Sequence, residues 1–231
     1  MIEPQIIFDD LPGMSLWCAS GDDVAALARD ANLAAGRGMP LISVGVGDVA
    51  TVWPWLEKMK VDIFARLYLG EKIPQSKMDE RISALSRECA SAFRSGARGV
   101  QIFMRAGDLS RFAAEISAVR DDLFFNKHMS IGLDLADIDA ADWAAVFMGL
   151  RTIRADSLLV VDSRAPSPRS DFVGRLNAMF DAWDNDFHGA AHFSFGTNIL
   201  RAEQALRLMS MVRPGLLPHA RFFISSAGDA Q

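Results

Sequence analysis

The stretch GVQIFMRAGDLSRFAAEISAVRDDLFFNKHMSIGLDLA, residues 99–136, decides how the whole chain is read. It opens on an alternating run, with Val100, Ile102 and Met104 on one side and Gln101, Phe103 and Arg105 on the other. That is the period of a strand with one face against an apolar layer. A helical pattern over 109–123 follows, its apolar residues three and four apart. A second alternation then sets Ile131, Leu133 and Leu135 opposite Ser130, Gly132 and Asp134. Two strands joined through a helix of this length pair in parallel, so the stretch is one βα unit and the start of the next.

Outward from this unit the same alternation recurs in both directions. Candidate strands fall at 16–19, 41–46, 63–69, 100–105, 130–134, 158–162, 192–195 and 222–225, and helical patterns at 22–35, 78–94, 109–123, 140–150, 172–183 and 200–212. Asp22, Asp108 and Asp171 stand where free helix amides need a cap, and Gly36-Arg37-Gly38 and Gly96 to Gly99 stand where helices hand over to strands. Eight strands with no glycine-rich dinucleotide fingerprint after the first predict an α/β fold, a closed (β/α)8 TIM barrel, over a doubly wound open sheet. The 231 residues suit one barrel, so a single domain over 1–231 is expected. Only Ser226 to Gln231 follow the last strand, too few for the eighth outer helix. The segment 1–13, with its apolar Ile6-Ile7-Phe8, or a partner subunit is expected to cover strands one and eight, which makes a homodimer an expectation.

Composition narrows the function classes. The formal charge is −5 with no run of Lys or Arg, against what a nucleic-acid partner needs. No stretch has the length and apolarity of a membrane span, and Met1-Ile2-Glu3-Pro4 lacks the start of a secretory leader. The two cysteines, Cys18 and Cys89, form no CxxC and suit a reducing compartment, so a cytoplasmic location is expected.

The side chains opposite the large apolar ones should line the bore. They include Arg66, Gln101, Arg105, Asp134 and His192, with Asp162 at the mouth, where ordinary barrels carry Val, Ile and Leu. Burying charge costs free energy unless it is paired or used. One reading makes Arg66 and Arg105 a seat for a substrate carboxylate or phosphate, with Gln101 beside them, and makes Asp162, His192 and Asp134 the catalytic acid and base groups. The other makes the same charges an internal Arg-to-Asp network that holds the strands in register. Asp134, Asp162 and His192 could also ligate a divalent metal, but no HxH or HExxH spacing supports it, so no cofactor is required by this reading. Schiff-base chemistry needs a lysine on an inner face. Lys58, Lys60, Lys77 and Lys127 lie outside the candidate strands, and Lys72 lies in the loop after the third, which disfavours a class I aldolase. Small polar loops after strands seven and eight, Gly196-Thr197-Asn198 and Ser225-Ser226, are suited to cradling a phosphate, and 163–170 could close over it as a lid.

At Trp17-Cys18-Ala19-Ser20, Val161-Asp162-Ser163, Gly196 and Ser225-Ser226 the chain resembles the ribulose-phosphate-binding barrels, nearest to phosphoribosylanthranilate isomerase. The resemblance implies a base at Cys18, an acid at Asp162 and a phosphate site at Gly196, Ser225 and Ser226. The family's Lys-Ile-Cys-Gly first strand and its paired glycines after strand seven are not reproduced, and by its own sequence context Cys18 reads as a small buried residue. Together these readings predict an isomerase or lyase that moves a proton on a small anionic metabolite, phosphorylated where the phosphate loops are used. The alternative is a non-catalytic barrel that binds a ligand or a partner protein.

Overall fold

A computed structural model describes residues 14–18, 23–70, 74–162, 171–196 and 198–225. The eight strands are β1 (Ser15–Trp17), β2 (Leu41–Gly45), β3 (Asp62–Tyr68), β4 (Gly99–Phe103), β5 (His128–Asp134), β6 (Ser157–Val161), β7 (Ala190–Ser194) and β8 (Ala220–Ser225). Each pairs in parallel with the next, and β8 returns to β1, so the sheet is a closed (β/α)8 barrel as the alternation predicts. The helices are α1 (Val24–Gly36), α2 (Val49–Leu56), α3 (Met78–Arg94), α4 (Ala106–Leu123), α5 (Trp143–Ile153), α6 (Phe172–Asp186) and α7 (Ile199–Val212). The segment 1–13, proposed to cover β1 and β8, and the residues after 225 lie outside the described residues.

Helix α2 was not legible in the sequence because Pro54 sits inside it and it runs only eight residues. Its buried Val49, Val52 and Leu56 nevertheless keep helical spacing. Trp53 on this helix fills the space above Gly96, where a Cβ would come within 2.4 Å of the indole, and where φ is +107°. Only glycine meets both demands. Asp171 caps α6 as expected, accepting from the amide of Gly174 at 3.0 Å. Asp108 lies within the first turn of α4, whose N-cap position is Arg105, and α1 is capped by Asp23 through the amide of Ala26. Asp22 lies outside the described residues.

The two faces of the sheet are as the alternation predicts. Outward residues build the layer under the helices: Phe193 is fully buried against Phe180 and Phe222, and Phe195 packs edge-on to Phe172. Inward residues fill the bore. Closing eight tilted strands makes the level of the bore climb by about one residue per strand relative to the hydrogen-bonded rows. Applied to the observed register, this stacks side chains from alternate strands into layers. Gly45, Phe103, Val161 and Ser225 form the upper one, and Trp17, Arg66, Gly132 and Ser194 the next. Ser43, Gln101, Leu159 and Phe223 lie beneath it, then Ser15, Phe64, Ser130 and His192. The Ser43 hydroxyl donating to Gln101 Oε1 at 2.5 Å, across the bore from β2 to β4, fits this assignment.

Candidate functional site

At the C-terminal ends of the strands the floor of the mouth is aromatic. Trp17 meets Phe103 and Phe223 edge-on at 5.7 and 6.0 Å, and the exposed Tyr68 stacks on Phe103 at 5.0 Å. Gly132 makes room for this cluster, since a Cβ there would lie 2.5 Å from the Phe103 ring. Arg66 lies under Trp17, its guanidinium 4.4 Å from the ring centre. It donates to the carbonyl of Ser43 at 2.6 Å, to the Ser43 hydroxyl at 3.2 Å and to the carbonyl of Cys18. The side chain is 3% exposed, so these contacts tie β3 to β1 and β2 from inside the bore. The structure therefore turns Arg66 toward β1 and β2 rather than toward Arg105 and Asp134.

Arg105 and Asp134 do reach the mouth. The β4–β5 ladder ends at Phe103 and Gly132; Arg105 follows as the N-cap residue of α4 and Asp134 as the last residue of β5. Arg105 is exposed and Asp134 half-buried. Asp134 accepts from the amide of Ala136 at 2.8 Å, and Arg175 of α6 donates to the carbonyls of Leu135 and Ala136 at 3.0 and 2.8 Å. The turn carrying Asp134 is thus pinned from two sides. Ser194 and Ser225 stand at the upper ends of β7 and β8, Gly196 adopts φ +59° in the turn after β7, and Asn198 caps α7 through the amide of Arg201 at 3.2 Å. Thr197, Ser226 and the lid 163–170 lie outside the described residues.

Asp162 and His192 are not brought together. Asp162 shares the outward parity of Val160 and forms an ion pair with Arg201 of α7, the two side chains 6% and 10% exposed. Arg201 in turn lies over Phe172 at 4.9 Å. The carboxylate belongs to the layer between sheet and helices, a side that the apolar β6 run on both faces left open. His192 faces the bore as expected but well below the mouth. Its ring stacks on His128 at 6.1 Å and meets Phe223 at 5.8 Å, and its Nδ1 has no hydrogen-bond partner. Burial holds its pKa well below the usual histidine value, with His128 and Arg221 pushing the same way. Gln101 is fully buried in the bore, one layer above His192, and its Nε2, like the Ser130 hydroxyl, has no partner.

The sequence reading left His128 outside the barrel strands. It is the first residue of β5 and points inward, donating to or accepting from the Ser157 hydroxyl at 2.8 Å. The signal was available: the alternation of Ser130, Gly132 and Asp134 extends two residues back to His128. Cys18, the base that the isomerase resemblance implies, is fully buried with outward parity in the main core, which is no place for a base on bore-bound substrate. Cys89 is also buried, which pushes its thiol up to about 12, with Glu88 adding to the effect. Among the described residues no group of three His, Cys, Asp or Glu side chains could hold a metal ion, and no helix is long and apolar enough to cross a membrane.

No family model matches the chain, and no curated protein does. Solved structures do. A protein assigned as a deoxyribose-phosphate aldolase from Toxoplasma gondii superposes with TM-score 0.71 at 14% identity, over 93% of this chain and 88% of that one. The tetrameric deoxyribose phosphate aldolase from Aeropyrum pernix gives 0.69 at 13% identity, over 95% and 87%. The aldolase QR15 gives 0.68 at 12% identity, over 93% and 91%. These likenesses establish the TIM-barrel class. They do not extend to the ribulose-phosphate-binding family. Among the described residues no strand carries a lysine on either face.

Proposed function

We propose that the chain is a lyase, or an isomerase, acting on a small anionic, phosphorylated metabolite at the C-terminal mouth of the barrel. The observations that support it are an exposed guanidinium on Arg105, just past the end of β4, and a positioned carboxylate on Asp134 at the end of the neighbouring β5, at a mouth with an aromatic floor. In this reading Arg105 binds the anion, and Asp134 removes a proton from the carbon next to a carbonyl. Return of that proton to a neighbouring atom gives an isomerase, and departure of a leaving group gives a lyase. Ser194, Ser225 and the turn at Gly196 are suited to the phosphate end, since small residues let backbone amides approach its oxygens. The substrate is free in the site rather than held on a lysine, and no metal is required.

A thermal-shift screen of sugar phosphates, keto acids and divalent ions tests the reading, because a ligand that binds only the folded state raises the melting temperature. With a hit in hand, Asp134→Asn should still bind it but turn it over slower by roughly 10²- to 10⁴-fold. Arg105→Met should raise KM with less effect on kcat. Normal turnover in Asp134→Asn rejects the assignment.

A non-catalytic, ligand-binding barrel is the second reading. The ion pair of Asp162 with Arg201 and the backbone contacts of Arg66 favour it, because both place inner charges in structural roles.

A further inference from the structure

The opposite end of the barrel carries a cavity of about 340 Å³ that the mouth does not explain. Its wall comes from the N-terminal parts of the strands β3 to β8 and the turns before them, among them Asp62 on β3, Arg98 before β4, Lys127 and His128 at β5, His192 on β7 and Arg221 on β8. We propose that this cavity is a binding site for a small organic anion bearing a phosphate or carboxylate group.

Charge is the first support. Asp156 also lines the cavity, but Arg120 holds it with two hydrogen bonds of 2.9 Å and the amide of Met129 donates to it at 2.8 Å. Its charge is therefore compensated locally. Three cations, Arg98, Lys127 and Arg221, then face one remaining carboxylate, Asp62. Among the described residues neither arginine has a carboxylate within ion-pair distance. Lys127 is directed by the carbonyl of Ala97, 2.9 Å from its Nζ, and by the Phe93 ring at 5.2 Å. Guanidinium groups at a concave surface are matched to planar or tetrahedral oxyanions through their paired N–H groups.

The second support is independent of charge. His192 is 2% exposed, lines the cavity and keeps a ring nitrogen with no partner. Buried polar atoms are nearly always satisfied, so a buried Nδ1 left without a partner on a residue of the cavity wall is a second sign of an incomplete site. The size falls within the range of small-molecule sites, about 300–1,000 Å³.

Between this cavity and the mouth lie the layers of Ser43, Gln101, Leu159 and Phe223 and of Trp17 and Arg66, so the two sites do not share a chamber. The inference does not rest on the proposed function of the mouth. Titration calorimetry with inorganic phosphate, phosphoglycolate and citrate on the full chain tests it. We expect saturable binding of at least one, weakened about tenfold or more by Arg98→Met or Arg221→Met and still present in Arg105→Met, whatever that variant loses at the mouth. Both arginines lie outside the core, and an unchanged melting temperature without ligand confirms that their variants are folded. Phosphate against citrate identifies the head group. Absence of saturable binding for all three overturns the proposal, as does binding that Arg105→Met abolishes and the two lower variants leave intact.

Discussion

The two ends of the bore are built by the same strands, yet they hold their charges differently. At the mouth, the buried guanidinium of Arg66 is engaged by two backbone carbonyls and an indole face, and the nearby Asp162 turns outward to Arg201. At the lower end, Arg98 and Arg221 face an open cavity beside two imidazoles, one of them with an unpartnered nitrogen. Charges near the catalytic face thus do much of the holding and leave Arg105 exposed, whereas at the usually structural face Arg98 and Arg221 have no carboxylate partner among the described residues. Charge inside a barrel identifies function only after its level along the axis and its partners are known.

The sharpest way to break this contrast is at Asp162. Replacing it by Asn leaves Arg201 buried without its carboxylate, and removing one member of a buried pair typically costs about 3–5 kcal/mol. Denaturant unfolding of Asp162→Asn should show a loss of that order. A variant of normal stability would mean that Asp162 is held loosely and could return to the list of catalytic candidates.

Arg66 and Arg221 provide a smaller, two-sided comparison. Arg66→Met removes the guanidinium hydrogen bonds to the carbonyls of Ser43 and Cys18, while the Ser43 carbonyl still accepts from the Cys18 amide, a loss of about 2 kcal/mol at the order of hydrogen bonds to a charged donor. Arg221→Met removes a cation with no ion-pair partner among the described residues, so its midpoint should move little or rise. Equal losses in the two variants would remove the distinction between a holding end and a binding end.

Much of this was legible in the sequence, and what was not has a physical cause. Strand number, parallel closure and the inward Arg66, Gln101, Asp134 and His192 follow from period-two alternation, whereas Arg105, expected as the last inward residue of the fourth strand, lies past its end as the exposed N-cap residue of α4. Alternation gives the face but not the height. Height depends on the stagger accumulated around the closed sheet, which places His192 near His128 and far from Asp162 even though β6 and β7 are neighbours. For Asp162 the face itself was hidden, because Leu158 to Val161 is apolar throughout. A hint lay in α7, where Arg201 interrupts the buried stripe of Ala202, Ala205 and Met209 and so calls for a carboxylate on the facing strand.

The smallest expected effect concerns the lower end alone and is read as a pH dependence. His192 and His128 both have pKa values below the usual histidine value, chiefly because burial disfavours the imidazolium. For His192, His128 and Arg221 add repulsion, whereas at His128 the carboxylates of Asp156 and Asp62 act against the depression and Arg221 and Arg120 act with it. In the unfolded chain both rings bind protons as pH falls through about 6.5. In the folded chain they stay neutral until lower pH. Over that window the unfolded state holds more protons, so stability falls as pH is lowered. The slope is at most about 1.4 kcal/mol per pH unit for each ring, and it ends where the folded rings themselves protonate. His192 should keep its contribution to the lower pH because its depression is the deeper. Melting curves between pH 7.5 and 5, roughly spanning that window, should therefore show a steady loss of stability toward acid. The loss should be reduced in His192→Gln and reduced less in His128→Gln. If the acid slope of His192→Gln matches that of the unaltered protein, the ring is solvated in the folded state. The lower cavity would then be open to water at the level of His192, and its unpartnered nitrogen would no longer be a sign of an incomplete site.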